Sequence, residues 1–366
     1  MIYLNAAGHG LPDPAVRARM IRHLQREDEI GPIQAETEAT DEMASVRAKA
    51  ACLIDAHEDE IALPPWTTSG WNAAVLSLPL EGRRVLVAPG EWASNIALLQ
   101  RRGARIETMP LDQAGRVSVE KLAQVIDDDL AAICAPLVCS LTGERYPLRE
   151  IGQLARPESC AFVVDAAQAL GQVPVSVLDL NADILAAPVR KWLRGPRGTG
   201  ILYVRRRWLD RMTPSLVADY GGAIWDGQTF KDRPDARRFE AMGSFAPQRL
   251  GMGVALDLYL ADPQGIQTAI AGRADHVRAA AQNAGIALAG SEPLGSGIVT
   301  LRLAPDVLGP AMKHLTDAEV VVKAPQRDCE PMRDPATHDG GFLRISPHVY
   351  NTPDQIDRVF GILAAA

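Results

Sequence analysis

The feature that most constrains the fold is an alternation of short apolar runs with helix-like stretches between about residues 85 and 205. The runs are VLVAP (85–89), RIETMPL (105–111), AAICAPL (131–137), AFVVDA (161–166), DILAAP (183–188) and ILYVRR (201–206). Such alternation is typical of a mostly parallel sheet with helices on both faces. Ligands of these sheets bind at the carboxyl ends of the strands, so the residues that follow the runs are candidates for a functional site.

Helical patterns flank this region. Residues 13–29 and 40–56 predict two helices, the second capped by Thr40 and Asp41, and a later helix is predicted to end near Gly285. Beyond residue 297, strand and helix patterns alternate again, which predicts a smaller α+β unit at the end of the chain. We therefore expect a large domain over residues 16–254 and a small C-terminal domain over residues 255–366.

Composition excludes several classes of function. With 47% hydrophobic and 23% charged residues, the chain can bury a large core. A net charge of -7 without blocks of like charge makes nucleic acid and anionic membrane poor partners. The sequence has no signal-like start and no apolar run of membrane-spanning length, which predicts a cytoplasmic protein. Its five scattered cysteines lack a CxxC pair, which favours reduced thiols over disulfides or a metal site.

The strongest chemical signal lies between Phe162 and Trp192. This stretch reads as strand, helical crossover and strand, with Asp165 ending the first strand and Lys191 just beyond the second. A right-handed crossover brings neighbouring strand ends together, so both side chains are predicted to share one pocket. Pyridoxal phosphate requires such a pair: an amine that binds its aldehyde and a carboxylate that keeps its ring nitrogen protonated. A partly buried Asp165–Lys191 salt bridge is the alternative that these two residues leave open.

Three blocks resemble the aminotransferase class V family of fold-type I pyridoxal-phosphate enzymes, which includes cysteine desulfurases and C–S lyases. The blocks are VDAAQALGQ (164–172), RKWLRGPRGTGILYVR (190–205) and RISPHVYNT (344–352). The resemblance implies an α/β fold with a large, mostly parallel sheet domain and a small C-terminal α+β domain. It also implies that an N-terminal segment, residues 1–15, packs near the active site, and that a homodimer shares its active sites.

The resemblance also implies a set of cofactor contacts. Lys191 corresponds to the Schiff-base lysine, Asp165 to the partner of the ring nitrogen, Gln168 to a donor toward the ring's phenolic oxygen and Trp92 to the stacking side chain. The residues implied to bind the phosphate are Ser69, Gly70, Trp71, Asn72, Arg190 and, from a neighbouring subunit, Ser244 and Arg249. Pro188 stands where relatives carry a further phosphate-binding serine.

The substrate is implied to be an amino acid. Arg344 matches the arginine that binds its carboxylate, a task suited to a guanidinium fork. His9, Ser140 and Cys329 are the other residues implied to lie near the substrate, although for His9, as for His348, a structural or solvent-facing position is favoured over a catalytic one. Cys329 precedes Arg344 by the same spacing as the persulfide cysteine of one class of desulfurases, and its thiol is therefore a candidate sulfur acceptor.

Three positions depart from the desulfurase pattern. Trp92 and Arg190 stand where histidines are usual, and Ser140 where asparagine is usual. Ser140 and the Cys329–Glu330 pair are similar to sulfoxide-cleaving C–S lyases of ergothioneine synthesis. The predicted reaction is β-elimination from a cysteine S-conjugate or S-oxide to pyruvate, ammonia and a thiol or sulfenate, with Lys191 as general base. The alternatives are a desulfurase using Cys329, a class V epimerase or aminotransferase, and a cofactor-binding protein without catalysis.

Overall fold

The computed structural model describes residues 1–214, 223–240, 245–290, 295–334 and 341–364, and of Arg327 only the backbone. The described α-helices are α1 (Pro14–Ile30), α2 (Pro32–Glu38), α3 (Thr40–Leu53), α4 (Thr67–Val75), α5 (Ala93–Arg101), α6 (Val119–Gln124), α7 (Leu148–Gln153), α8 (Arg206–Leu209), α9 (Ala246–Ala261), α10 (Pro263–Asn283), α11 (Pro305–Asp317) and α12 (Pro353–Ala364). Among the described residues, no helix combines the length and the apolar composition needed to cross a membrane.

The strands that accompany these helices are β1 (Ile2–Tyr3), β2 (Ile61–Ala62), β3 (Arg84–Val87), β4 (Arg105–Thr108), β5 (Leu130–Pro136), β6 (Ala161–Asp165), β7 (Ile184–Pro188), β8 (Gly200–Val204), β9 (Ala223–Trp225), β10 (Phe230–Asp232), β11 (Val299–Leu303), β12 (Val320–Val321) and β13 (Gly341–Ile345). Each of the six apolar runs named above overlaps one strand of a seven-stranded sheet with the order β2-β8-β7-β6-β5-β3-β4. Every pairing from β7 to β4 is parallel, whereas β8 runs antiparallel to both of its neighbours. The predicted mostly parallel α/β fold is confirmed.

The sheet buries both of its faces. Along β6, Phe162 and Val164 pack in one hydrophobic cluster, whereas Ala161 and Val163 pack in another. This division follows from the period-two alternation of side chains along a strand. Because both faces are covered, the strands read as continuous apolar runs rather than as alternating ones.

A smaller hydrophobic cluster forms near the end of the chain and includes the N-terminus. Ile2 and Leu4 pack there with residues of α10, α11, β11, β13 and α12. Strand β1 pairs in parallel with β12, and Ser346 N donates to Leu4 O at 2.8 Å. Helix α9 spans the predicted boundary at residue 254, and its Leu250 and Leu256 are fully buried. The domain limits themselves stay a prediction.

The structure corrects two local predictions. Residues between β6 and β7 form turns rather than a helical crossover; Gly171 has a positive φ of 101°, and Pro174 follows it, so a continuous helix is disfavoured. Thr40 is not a cap: it is the first residue of α3, and its Oγ1 donates to Glu36 O in the preceding helix at 3.3 Å. Only Ala39 separates the two helices, which leaves no extended residue to cap α3.

Candidate active site

A cavity of about 260 Å³ lies at the carboxyl edge of the sheet. Strand order reverses beside β3, where the chain that leaves for β4 returns on the other side as β5. Such a switch point is where open α/β sheets bind ligands. The described wall is formed by Trp66, Thr67, Thr68, Gly90, Trp92, Asn95, Pro136, Val138, Ser140, Asp165, Ala167, Gln168, Arg190 and Lys191. A larger cavity of about 760 Å³ elsewhere contains none of the predicted site residues and no lysine, histidine or cysteine in its described wall.

Lys191 lies in the turn after β7 and lines the cavity. Burial lowers the pKa of its amine to about 7, with the positive charges of Arg190 and Arg344 adding to the effect and Asp165 opposing it. A large fraction of the amine is therefore neutral near neutral pH. A neutral amine is both a nucleophile and a base, the two properties that the predicted roles of Lys191 require.

Asp165 ends β6 and shares the cavity with Lys191, as predicted. Its Oδ1 accepts from Ala167 N at 2.7 Å and its Oδ2 from Asn95 Nδ2 at 3.2 Å. Burial raises its pKa, whereas these two donors and the charge of Lys191 act in the opposite direction. No direct Asp165–Lys191 ion pair forms in the described structure, so both groups remain available to a ligand between them.

Gln168 and Ser140 form one hydrogen-bonded wall. Gln168 Nε2 donates to Ala7 O at 3.0 Å and to Ser140 Oγ at 3.3 Å, and Gln168 Oε1 accepts from Trp192 Nε1 at 3.0 Å. Arg344 Nη1 donates to the Ser140 carbonyl at 2.7 Å and to its Oγ at 3.2 Å. Ser140 therefore connects the predicted cofactor side of the cavity with the predicted carboxylate-binding arginine.

Arg344 is buried behind this wall rather than in it. Burial lowers the pKa of its guanidinium to about 10. Its Nε has no hydrogen-bond partner among the described residues. An unsatisfied donor on a buried cation is costly, so a carboxylate that accepts from it would be stabilised.

The N-terminal segment reaches the cavity through its backbone. Ala7 O accepts from Gln168, and Gly8 O accepts from Arg190 Nη1 at 3.3 Å. His9 is not among the lining residues; its Nδ1 lies 2.6 Å from Gly10 O, and burial lowers its pKa. His348 is also structural, because its buried Nε2 lies 2.9 Å from Trp192 O.

The predicted phosphate loop lies only partly in the described cavity wall, and its phosphate contacts stay a prediction. Ser69, Gly70, Trp71 and Asn72 do not line the cavity, whereas Thr67 and Thr68 do. Trp71 is 1% exposed and packs in the core, and Ser69 Oγ bonds the Trp66 carbonyl at 2.8 Å. Helix α4 begins at Thr67, and its first intrahelical bond is from Gly70 N to Trp66 O at 3.2 Å, so Thr67, Thr68 and Ser69 carry the N–H groups that lack an intrahelical acceptor. The helical period buries positions 70 and 71, which the local sequence did not indicate.

Ser244 and Arg249 are predicted to contact the phosphate of a neighbouring subunit, and both contacts stay predictions. Ser244 lies outside the described residues. Arg249, in α9, donates to Leu63 O at 3.4 Å and is not part of the described cavity wall.

Trp92 does line the cavity, and 40% of its surface is exposed, so an aromatic face is available at the mouth.

Cys329 lies outside the described cavity wall, at the end of a short 3₁₀ helix, Arg327–Cys329. Its thiol donates to Gln326 O at 2.8 Å, and burial with the nearby charge of Glu330 raises its pKa to about 11. The thiol is therefore protonated at neutral pH and is a weak nucleophile. The predicted contact of Cys329 with the substrate stays a prediction.

Sequence reasoning missed four residues of the site: Thr67, Thr68, Glu91 and Asn95. Asn95 lines the cavity, and Glu91 is fully buried directly behind it. The spacing of Glu91 and Asn95 could have indicated them, because residues four apart at a helix start face the same way.

The residues present fit pyridoxal phosphate. Lys191 supplies an amine whose pKa is lowered, and Asp165 supplies a buried carboxyl. The other groups that could hold the cofactor are the guanidinium of Arg190, the exposed indole of Trp92 and the N-terminus of the nine-residue helix α4. The cavity volume is close to the lower limit of about 300 Å³ for small-ligand pockets. Arg190 and α4 are suited to the phosphate, and Asp165 to the ring nitrogen.

Comparison with known proteins gives a consistent set of relatives. The aminotransferase class-V family model matches residues 2–359. A probable hercynylcysteine sulfoxide lyase of Mycobacterium tuberculosis is 30% identical over 377 aligned residues, which cover 100% of this chain and 90% of that protein. A probable cysteine desulfurase of Pyrococcus abyssi is 25% identical and aligns with 98% of this chain and 92% of its own.

Solved structures share the fold. The apo cysteine desulfurase from Thermococcus onnurineus has a TM-score of 0.88 at 23% identity, covering 100% of this chain and 94% of its own. A complex of the cystine C–S lyase C-DES with its reaction product cysteine persulfide has a TM-score of 0.87 at 20% identity, covering 99% and 97%. Their similarity extends over both the large sheet and the C-terminal unit.

The fold and the Lys191–Asp165 cavity define a fold-type I pyridoxal-phosphate enzyme. The chain belongs to the aminotransferase class V family, whose model spans nearly all of it. Its relatives are C–S lyases and cysteine desulfurases.

Proposed function

We propose that the protein is a C–S lyase that performs β-elimination on a cysteine S-conjugate or its S-oxide. The observation that carries this proposal is the state of Cys329, whose protonated thiol bonds a backbone carbonyl outside the described cavity wall. Desulfuration requires a thiolate near the substrate sulfur, whereas elimination requires none. The 30% identity with a probable hercynylcysteine sulfoxide lyase supports the same choice and suggests a cysteine sulfoxide as substrate.

When bound, pyridoxal phosphate supplies an electron sink for the negative charge that develops at the substrate Cα. The chain supplies the remaining functions. The neutral Nζ of Lys191 can accept the Cα proton, since the pKa of this amine is lowered to about 7. Asp165, as an anion, can hold a proton on the ring nitrogen. Arg344, which lies behind the cavity wall against Ser140, is the proposed partner of the α-carboxylate, and this contact would orient the Cα–H bond.

The bond changes of the elimination balance without a further reactant. The Cα–H bond breaks and its proton moves to Lys191 Nζ, while the Cβ–S bond breaks and its electron pair leaves with sulfur as thiolate or sulfenate. The three-carbon product, an aminoacrylate, then takes up water and becomes pyruvate and ammonia. A sulfenate leaves more readily than an alkyl thiolate, which favours an S-oxide substrate.

The described cavity wall contains no histidine or cysteine that could compete with Lys191 for the substrate's protons. Trp92 lies where desulfurases have a histidine and cannot exchange a proton. This arrangement supports elimination over a reaction in which a second acid–base group delivers a proton to the product, as epimerisation and desulfuration require.

The test is a substrate profile of the purified enzyme. Cysteine S-conjugates and their sulfoxides are expected to yield pyruvate and ammonia in equal amounts, and free L-cysteine to yield little alanine. Alanine formation from L-cysteine that is lost in Cys329→Ala would instead identify a desulfurase. An exchange of Cα deuterium without pyruvate formation would identify an epimerase or aminotransferase.

We also propose a homodimer in the cytoplasm. The exposed apolar side chains Trp225 and Phe230, which pack against each other on the β9–β10 hairpin, support a second subunit on this hairpin. Sedimentation of the purified protein is the measurement, and a monomer at working concentration would contradict the proposal.

A further inference from the structure

A second carboxyl lies directly behind Asp165. Glu91 follows β3, is fully buried, and its Oε1 accepts from Asn95 Nδ2 at 2.7 Å. The same Nδ2 donates to Asp165 Oδ2 at 3.2 Å. One amide group therefore bridges two buried carboxyls, Glu91 from the loop after β3 and Asp165 from the end of β6.

Two adjacent carboxyls in a dry site are not both ionised, because each charge raises the cost of the other. The hydrogen bonds decide which one holds the proton. Asp165 has a donor at each oxygen, Ala167 N and Asn95 Nδ2, and Lys191 in the same cavity. Glu91 has both of its donors, Asn95 Nδ2 and Trp92 N, at Oε1. Its Oε2 is buried and has no partner among the described residues.

The other groups around Glu91 give it no positive charge. Glu330 and the thiol of Cys134 are its titratable neighbours besides Asp165. Arg333, on the segment that carries Glu330, pairs with Glu330 at 2.9 Å and with Glu144 at 3.5 Å rather than with Glu91. A buried carboxylate without a cation is strongly disfavoured, whereas the neutral acid leaves only one hydroxyl, at Oε2, without an acceptor among the described residues, which costs less.

We propose that Glu91 is a positioning residue that holds a proton at Oε2 and, through Asn95, keeps Asp165 as the ionised member of the pair. Neutral Glu91 orients the Asn95 amide so that its second hydrogen faces Asp165. Asp165 then presents a full negative charge to the cavity. This inference rests on the proposed cofactor role of Asp165 but is independent of which bond of the substrate breaks.

Burial and the charge of Asp165 raise the pKa of Glu91 to about 8, which agrees with the hydrogen-bond pattern. The unfolded chain loses this proton above its ordinary carboxyl pKa of about 4.3, whereas the folded chain keeps it to about 8. Between about pH 4.3 and about pH 8, the folded state thus binds more protons than the unfolded state. The contribution of Glu91 to stability is full below the window and is lost as pH rises through it.

The experiment compares urea midpoints of the full-length holoenzyme with those of Glu91→Gln at about pH 5.5 and about pH 8. Glutamine is neutral and similar in shape, so the midpoint of the variant relative to the wild type is expected to rise between the two pH values. A relative midpoint that stays constant or falls would overturn the proposal, because it would mean that Glu91 is ionised in the fold. Glu91→Met, also neutral, serves the same comparison if the glutamine variant does not fold.

Glu330→Gln is the matched control. Glu330 is also buried, but it accepts from Cys139 Sγ, Leu141 N and Arg333 Nε, so its charge is fully paired. Its variant is expected to have a lower midpoint at both pH values, since Arg333 loses a partner. A control that behaves like Glu91→Gln would show that the pH effect is not specific to Glu91 and would overturn the assignment.

A spectroscopic measurement tests the link to Asp165. Asn95→Asp preserves size but removes the shared donor and adds a third carboxyl, so the pH profile of the bound cofactor's visible absorbance is expected to move by about one pH unit or more. An unchanged profile would overturn the positioning role of Asn95. Neither the urea unfolding nor the absorbance measurement uses substrate, so both can be interpreted even if the protein is not a lyase.

Discussion

Arg344 Nη1 donates to both the carbonyl and the hydroxyl of Ser140, at 2.7 and 3.2 Å. This contact joins β13 of the C-terminal unit to the loop after β5 of the large sheet. It holds a buried guanidinium with one unpartnered nitrogen next to the cavity that contains Lys191. The proposed substrate carboxylate site therefore depends on both parts of the chain.

Arg344→Lys is expected to weaken substrate binding, because lysine cannot reproduce the fork that binds Ser140 and a carboxylate together. The loss of one hydrogen bond to a charged group corresponds to about 1.5–3 kcal/mol, or about 10- to 100-fold in kcat/KM. Steady-state kinetics measure it, with Arg101→Lys at the end of α5 as a control. Equal kinetics for both variants would contradict the assigned role.

Thr68→Ala is expected to weaken cofactor binding by about tenfold or more, since a hydroxyl next to the α4 N-terminus would lose a bond to phosphate. Thr68→Ser retains the hydroxyl and is expected to retain affinity. Titration of the apo-protein with cofactor measures both. An equal loss in the serine variant would indicate that the threonine methyl group, rather than the hydroxyl, is important.

Trp71→Ala is expected to act on stability instead. The side chain is 1% exposed in the core, so its removal is expected to lower the free energy of unfolding by about 3–5 kcal/mol. Denaturant unfolding gives this value. A variant that was fully stable but bound the cofactor poorly would instead support the predicted phosphate contact of Trp71.

The rate at which Lys191 takes up the cofactor is expected to rise with pH. Only the neutral amine is a nucleophile, and the pKa of this amine is lowered to about 7. The neutral fraction, and hence the rate, should increase about tenfold per pH unit below that value and level off above it. Stopped-flow absorbance of the apo-protein measures the profile, and an inflection near the ordinary lysine pKa would refute the expectation.

Cys329→Ser is expected to leave pyruvate formation from cysteine conjugates within about twofold, because Cys329 is only partly buried and lies outside the described cavity wall. The thiol faces Gln326 O rather than the described cavity wall. Parallel assays of pyruvate and alanine distinguish this outcome from a sulfur-relay role, in which alanine production alone would be lost.

Much of this architecture follows from local sequence. The β-branched and apolar runs predicted the strands around Asp165 and Lys191 because both faces of a parallel sheet are buried. The two residues were predicted to share a pocket because parallel neighbours end at the same edge. The crossover between them was predicted wrongly as helical, since Gly171 and Pro174 act through backbone conformation rather than through periodicity.

Other features depend on contacts between distant segments. Trp71 and Thr68 are three residues apart, and only the packing of α4 against the sheet determines which of them faces the core. Cys329 had a suggestive spacing, but its protonation depends on burial and on Glu330. The protonation and burial of a side chain depend on the residues that tertiary folding places next to it, and the sequence alone does not identify these neighbours.

By itself, the sequence determined the α/β class, the family resemblance and the Lys191–Asp165 pair, because these arise from patterns within short segments. The tertiary structure decided which residues of α4 line the cavity, the position of Arg344 behind Ser140 and the contact between Glu91 and Asp165 through Asn95. Glu91 and Asp165 are far apart in the chain, because β4, β5 and most of β6 lie between them. Only the parallel sheet, which places β3 and β6 on either side of β5, brings their carboxyls to one buried amide.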